Sequence, residues 1–125
     1  MGQINEIGVI REYHAHVYFD AGSRESATEL RTRVEQQFTV RIGPLREGPA
    51  GPHLFPQYSI AFDAVQFSTF VPFLMMNRMG LTLLVHPLSG RSRDDHTLNA
   101  MWAGEVLPVD LAFLREADVS GAPSR

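Results

Sequence analysis

Residues 13–20, YHAHVYFD, form the most regular pattern in the chain, and the rest of the fold can be built outward from them. Polar and apolar side chains alternate, which is the period of a β-strand whose successive side chains point to opposite faces. Ala15 and Val17 would share one face, and His14 and His16 the other. Two imidazoles in this arrangement have Cβ atoms about 6.5 to 7 Å apart, close enough to bind one metal ion.

Downstream of this strand the sequence predicts two helices and three more strands. Residues 26–29, SATE, fit a capping box, and the apolar spacing after them predicts a helix to about Gln37. A second stripe predicts a helix over 68–79, where Pro72 is tolerated only in the first turn. Short apolar or alternating runs predict strands over 40–43, 57–63 and 81–86.

The resulting order, β-α-β-β-α-β, is that of an α+β ferredoxin-like sandwich. We therefore expect one domain over residues 1–125, with an antiparallel sheet and both helices on one face. The expected sheet order is 4-1-3-2, with strands 1 and 3 parallel and strand 4 antiparallel to strand 1. The segment after Trp102 is expected to be a C-terminal extension that packs on the sheet or on a second subunit.

The composition excludes several reaction mechanisms and classes of partner. The 125 residues are 44% hydrophobic, enough for a real core. All eleven basic residues are arginine and there is no cysteine, which excludes lysine Schiff bases and thiolate chemistry. The net charge is −3 and the arginines are scattered, which argues against nucleic-acid partners. Without a signal peptide or a run of roughly 20 apolar residues, we expect a cytoplasmic protein with no membrane partner.

The predicted topology brings histidines together from distant parts of the chain. His86 ends strand 4 beside the start of strand 1, which carries His14 and His16. The loop with His53 is expected at the same edge, and His96 follows in the loop after strand 4. One histidine on a polar strand face is usually solvated or hydrogen-bonded, but ordinary surface histidines have no reason to collect at one sheet edge.

This donor set limits the metal. Neutral imidazoles without thiolates suit Fe(II), Zn, Cu, Ni or Mn, and three ligands on one face with open positions are typical of non-haem Fe(II) oxygenases. A third histidine, or a carboxylate such as Glu47 or Asp95, would complete that face.

The same histidines lie in blocks that resemble the DOPA 4,5-dioxygenase family, small ring-opening dioxygenases of fungi and bacteria. The blocks span residues 13–104, and each contributes a histidine. They are HAHVYF (14–19), GPH (51–53) with QYSIAF (57–62), LVHPLSG (84–90), and DHT (95–97) with AMWAG (100–104). The resemblance implies a ferredoxin-like fold and extradiol cleavage of an L-DOPA-like catechol by Fe(II) and O₂. One departure is Leu54, since the family has proline directly after this histidine.

From this resemblance we expect His14, His16 and His86 to hold Fe(II), because O₂ reacts slowly with a catechol unless a redox metal binds both. His53 and His96 would move protons, since imidazoles titrate near neutral pH.

Other side chains are candidates for contacts with the substrate. Tyr58 or Tyr18 would donate a hydrogen bond. Trp102 or Phe55 would stack on the ring. If the substrate carries a carboxylate, Arg41 or Arg78 would bind it, although both are more often surface residues.

Other functions compete with this interpretation. Ferredoxin-like domains often sense ligands, so a non-enzymatic metal- or small-molecule-binding module is the main alternative, and it predicts no open coordination position. A haem-dependent or cofactor-free monooxygenase would leave most of the histidines unexplained, and a zinc hydrolase fits the ligands but not the family blocks. The polar sheet face is expected to be covered, and a homodimer is one arrangement that would cover it.

Overall fold

The computed structural model describes residues 4–114. The elements run β1 (Glu12–Tyr18), α1 (Arg24–Gln37), β2 (Arg41–Ile42), β3 (Gln57–Asp63), α2 (Phe67–Asn77), β4 (Thr82–Pro87), α3 (Ser92–His96) and β5 (Met101–Ala103). A 3-10 turn, Ala64–Gln66, leads into α2, and a last helical turn covers 111–114. No helix among these residues is long and apolar enough to cross a membrane.

The strands form one antiparallel sheet in the order β2-β3-β1-β4-β5, which confirms the predicted order 4-1-3-2. β1 is antiparallel to both β3 and β4. The expectation that strands 1 and 3 are parallel is therefore wrong. The crossover through α1 joins β1 to β2 in the same direction, and β3 fits between them only by running the opposite way. β5 was not predicted, because three residues are too few to show a period.

Both long helices cover one face of the sheet, as predicted, and the core lies between them and the strands. The buried cluster joins Ala15 and Val17 of β1 to apolar residues of β3, β4, α1 and α2. The register places Val17 opposite Tyr58, whose hydroxyl donates to the carbonyl of Ala27 in α1 at 2.7 Å. This face is therefore filled by packing and offers no opening to a ligand.

Two details of the helices differ from prediction. α1 begins at Arg24, because Asp20 and Ser23 hydrogen-bond each other's backbone NH one turn before the SATE segment. Ser26 consequently lies inside the helix rather than at its cap. In α2, Pro72 is the sixth residue and not in the first turn. The buried side chains of Phe70 and Leu74 on either side hold this helix against the sheet.

The opposite sheet face carries the polar side chains of β1, yet it is buried. His14 is 5% exposed and His16 1%. The extension packs here against the loop that carries His53, since His53 bridges to Val109 and the Asp110 NH donates to the Pro52 carbonyl at 2.8 Å. A single chain thus covers this face, and a second subunit is not needed for that purpose. The part of the extension beyond residue 114 lies outside the described residues.

Candidate metal centre

β1 and β4 bring three histidines into contact, as the predicted topology requires. His14 lies directly opposite His86 in the antiparallel register, and His16 follows on the same face of β1. The Nε2 atoms of His16 and His86 are 3.1 Å apart. The ring centre of His14 lies 5.7 Å from that of His16 and 5.3 Å from that of His86. Residues 70 positions apart in sequence therefore share one buried point.

The other two histidines join this cluster from loops. The rings of His53 and His16 have centroids 4.0 Å apart, and those of His96 and His86 are equally close. All five histidines of the chain are at most 5% exposed. The predicted convergence of the histidines is confirmed, but the loop that carries His53 arrives at a different end of β1 from the one predicted. Because β3 is antiparallel to β1, the loop before β3 reaches His16 from the Tyr18 end of β1, not from its beginning.

Hydrogen bonds at the outer ring nitrogens set the tautomers of three of these histidines. Nδ1 of His16 donates to Oε1 of Gln57 at 2.9 Å. Nδ1 of His86 donates to the Pro87 carbonyl at 2.9 Å, and Nδ1 of His96 to the Ser92 carbonyl at 2.8 Å. Amide and carbonyl oxygens only accept, so each neutral ring carries its proton on Nδ1. Nε2 then presents a lone pair, which is the form that binds a metal.

The distance between His16 and His86 fits one shared ion. With both Nδ1 atoms protonated, the two Nε2 lone pairs face each other at 3.1 Å and repel unless a cation lies between them. Two nitrogens that bind one metal at about 2.1 Å lie roughly 3.0 to 3.4 Å apart. This pair already has that spacing.

His53 has a buried nitrogen whose bonding is incomplete. Its Nδ1 is 2.6 Å from the hydroxyl of Tyr18, whereas Nε2 is buried and has no hydrogen-bond partner among residues 4–114. Leaving such an atom unsatisfied costs about 1 to 3 kcal/mol. A ligand that contacts Nε2 would remove this cost.

Three rings of the cluster, those of His16, His53 and His86, are neutral at physiological pH. Burial lowers the pKa of His16 and of His86 well below the usual value, and the neighbouring imidazoles lower both further. Burial likewise lowers the pKa of His53 to about 3, with His96 and His14 adding to the effect. All three rings can therefore bind a metal without first losing a proton.

Two sets of three histidines have ligand atoms close enough to hold a metal. In each set these atoms lie within 4.8 Å of one another. The sets share His16 and are His14, His16, His86 and His16, His53, His96. Neither carboxylate considered from the sequence completes a set. Glu47 is at the surface paired with Arg24, and both oxygens of buried Asp95 accept from Ser89.

A cavity of about 180 Å³ opens onto His16 and His53. Its other walls come from β3 and from the loop before it, with Phe113 of the extension. They are Pro44, Arg46, Ala50, Gly51, Gln57 and Ser59. A larger cavity of about 510 Å³ lies under residues 5–10 and touches only His86 of the cluster. We take the smaller cavity as the access route because two of the histidines line it.

Comparison with known proteins identifies the family. The model of the Dopa 4,5-dioxygenase family matches residues 13–113, which include every residue of the cluster. The chain belongs to the Dopa 4,5-dioxygenase family.

Individual relatives agree with this membership. The DOPA 4,5-dioxygenase of Amanita muscaria is 35% identical over 114 residues, covering 84% of this chain and 50% of its own. An uncharacterized 21.2 kDa protein of Botryotinia fuckeliana is 35% identical over 120 residues, covering 86% of this chain and 66% of its own. The chain thus spans between half and two thirds of the length of these curated relatives.

A solved structure shows the same fold. The crystal structure of a "putative dioxygenase" from Nostoc punctiforme superposes with a TM-score of 0.88 and 41% sequence identity. The match covers 90% of this chain and 98% of that one. The fold of that protein therefore extends over most of the present chain.

Within this family site, the predicted aromatic residues fall into different places. Tyr18 is buried beside the cluster, with its hydroxyl on His53 and its ring stacked on Trp102 at 5.7 Å. Burial raises the pKa of Tyr18. Tyr18 and Trp102 support His53 but do not line the 180 Å³ cavity. Tyr58 is not part of the site, because it lies on the helix side of the sheet and bonds Ala27.

The predicted arginines are also elsewhere. Arg41 forms an ion pair with Glu12, and Arg78 donates to the Leu81 carbonyl at 2.7 Å. Neither lines the cavity, and Phe55 does not either.

Sequence reasoning missed three residues of the site: Gln57, Arg46 and Phe113. Gln57 could have been found, since the alternation of β3 puts it on the face of β1 that carries the histidines. Arg46 and Phe113 lie outside the strands, where no period indicates their direction.

Proposed function

We propose that this protein is a non-haem iron extradiol dioxygenase that opens the ring of a small catechol with O₂. The observation that carries the proposal is the 3.1 Å separation of the His16 and His86 Nε2 atoms, both in the tautomer that binds metal, inside a buried cluster of five imidazoles. Membership of the family supplies the reaction class. The cavity beside these histidines supplies a place for the substrate.

Fe(II) suits a site made of imidazole nitrogens without thiolates. His14, His16 and His86 would hold it, because their ligand atoms lie within reach of one another on a single sheet face. Bound Fe(II) would supply the redox chemistry that lets O₂ react with a catechol. Gln57, by holding the proton of His16 on Nδ1, keeps that ring ready to bind.

His53 is the proposed proton acceptor. It lines the cavity, it is neutral at pH 7, and its Nε2 has no partner among the described residues. A catechol hydroxyl at this position could pass its proton to Nε2 while Tyr18 holds the opposite side of the ring. His96 is the second residue proposed for proton transfer, fixed in place by its bond to the Ser92 carbonyl.

The shape of the cavity limits the substrate. A volume of about 180 Å³ is below the roughly 300 to 1,000 Å³ of pockets for drug-sized ligands. One aromatic ring with a short side chain is the size that fits. An L-DOPA-like catechol is therefore the substrate class we propose, with Phe113 as an apolar wall for the ring.

The test is anaerobic reconstitution with Fe(II), followed by addition of L-DOPA or a simpler catechol in air. O₂ uptake and a yellow ring-opened product are measured, with zinc-loaded protein and His16→Ala as matched controls. We expect uptake that depends on iron and disappears in both controls. If no catechol in a panel is consumed while metal stays tightly bound, the protein is instead a metal- or small-molecule-binding module.

A further inference from the structure

Arg46 is the charged side chain at the cavity that reaches His16 and His53. Among the described residues that line it, the histidines are neutral and the others are apolar or uncharged, so Arg46 alone brings a formal charge. The chain as a whole has a net charge of −3. A positive group at this opening is therefore a local feature and does not reflect a generally basic surface.

The guanidinium of Arg46 is also unusual in making no ion pair or hydrogen bond with any described residue. Seven other arginines in residues 4–114 form ion pairs with carboxylates or donate to carbonyls. The pairs are Arg24–Glu47, Arg33–Glu29, Arg41–Glu12 and Arg91–Asp94, and the donors to carbonyls include Arg11, Arg31 and Arg78. Even the adjacent Glu47 bonds Arg24 instead. Within residues 4–114, therefore, nothing occupies the side-chain donors of Arg46 that a ligand would use.

The backbone holds Arg46 firmly next to the metal centre. Its NH donates to the Gln57 carbonyl at 2.9 Å, and its own carbonyl accepts from the Gln57 NH at 3.0 Å. Gln57 in turn accepts from Nδ1 of His16. The base of the arginine side chain is thus one residue away from a proposed metal ligand, on a paired backbone rather than on a loose loop.

We propose that Arg46 binds the side-chain carboxylate of the L-DOPA-like substrate and is the residue that makes acidic catechols preferred over neutral ones. The planar guanidinium accepts a carboxylate in a bidentate pair, which fixes orientation as well as adding affinity. The ring would then lie deeper, toward His53, with the acid at the opening. This inference rests on the proposed function for its catechol part, but not for anion binding.

Binding and turnover test the two parts separately. Calorimetry on zinc-loaded protein compares 3-phenylpropanoate with 3-phenylpropan-1-ol, which differ in charge but contain no catechol. Kinetics on iron-loaded protein compare 3,4-dihydroxyphenylpropanoate with 4-methylcatechol. Each is run on wild type, Arg46→Gln, Arg46→Lys and the control Arg33→Gln, which removes an exposed arginine paired with Glu29.

We expect wild type and Arg33→Gln to prefer the acid of each pair, and Arg46→Gln to lose about 10- to 100-fold of that preference. Arg46→Lys should keep part of this preference, because lysine retains the positive charge but lacks the two parallel N–H donors of a guanidinium. An increase in KM rather than a fall in kcat is expected for the acidic catechol. Equal affinity for the two phenyl probes in wild type, binding of neither, or a preference that survives in Arg46→Gln would overturn the proposal. Acid binding through Arg46 without turnover of any catechol would leave the anion site standing and refute the dioxygenase function.

Discussion

Oε1 of Gln57 accepts a hydrogen bond from Nδ1 of His16 at 2.9 Å, and this contact orients the ring whose other nitrogen lies 3.1 Å from Nε2 of His86. Gln57 begins β3 and is only 4% exposed, so the bond is made away from water. An outer partner of this kind raises the basicity of a metal-binding imidazole and fixes its tautomer. The metal affinity of the cluster should therefore depend on a residue that never touches the ion.

Replacing Gln57 with leucine removes this acceptor and should weaken zinc or iron binding by about 10- to 100-fold. Gln57→Glu keeps an acceptor at nearly the same position and should retain most of the affinity. Competition with a chromophoric chelator measures both. Gln66→Leu is the control, because the side-chain amide of Gln66 donates to the Thr39 carbonyl at the surface. Unchanged affinity in Gln57→Leu would show that His16 does not bind metal through Nε2.

The two sets of three histidines can be separated by their metal content. If His14, His16 and His86 hold the ion, His14→Gln should leave the desalted protein with little metal. His53→Gln should keep its metal but lose about 100-fold or more in turnover, because the proton acceptor is gone. Metal analysis and O₂ uptake on the same samples decide the matter. The reverse pattern would assign the metal to His16, His53 and His96.

Tyr18 and Tyr58 are buried on opposite faces of the sheet, so the loss of a tyrosine hydroxyl can be tested on each face. Tyr18→Phe removes the hydroxyl that contacts Nδ1 of His53 but leaves a ring to stack on Trp102. We expect kcat to fall by about 10-fold or more, with a smaller change in KM. Tyr58→Phe removes an equally buried hydroxyl that bonds Ala27 and should leave kcat unchanged.

Each tyrosine variant should cost about 0.5 to 1.5 kcal/mol in the free energy of unfolding, since each loses one hydrogen bond. Urea denaturation of both therefore separates stability from activity. A similar loss of kcat in Tyr58→Phe would mean that the Tyr18 effect is a general loss of structure.

The sheet and the first three histidines could be predicted because both follow from the period of the strands. Alternation in β1 places His14 and His16 on one face, and the order of elements puts β4 beside β1, so His86 had to lie close to them. The position of the loop that carries His53 could not be predicted in this way. Its loop has no period, and its arrival depends on the direction of β3, which was predicted wrongly.

Competing local hydrogen bonds and backbone pairings explain the other differences between the prediction and the structure. The SATE segment is a capping pattern, but Asp20 and Ser23 make a similar reciprocal pair one turn earlier, and the helix begins there. Arg46 was missed because its position depends on a backbone pairing with Gln57 that a Gly- and Pro-rich loop does not reveal. Side chains that select a substrate are often carried on such loops, whereas strands supply the rigid ligands.

Acid should destabilise the metal-free protein through the same buried imidazoles. The pKa of His53 is about 3 in the folded chain and close to 6.5 when unfolded, so the unfolded chain takes up the proton first. The stability that comes from the neutral ring is complete above pH 6.5 and is lost as the pH falls toward 3, at about 1.4 kcal/mol per pH unit. The lowered pKa values of His16 and His86 act in the same direction.

Urea unfolding of the metal-free protein at pH 7.0 and 5.5 should therefore show a marked drop in the free energy of unfolding. His53→Gln should show a smaller drop, because one of the titrating rings is missing. Equal stability at the two pH values would mean that these rings are hydrated in solution and that burial does not lower their pKa values.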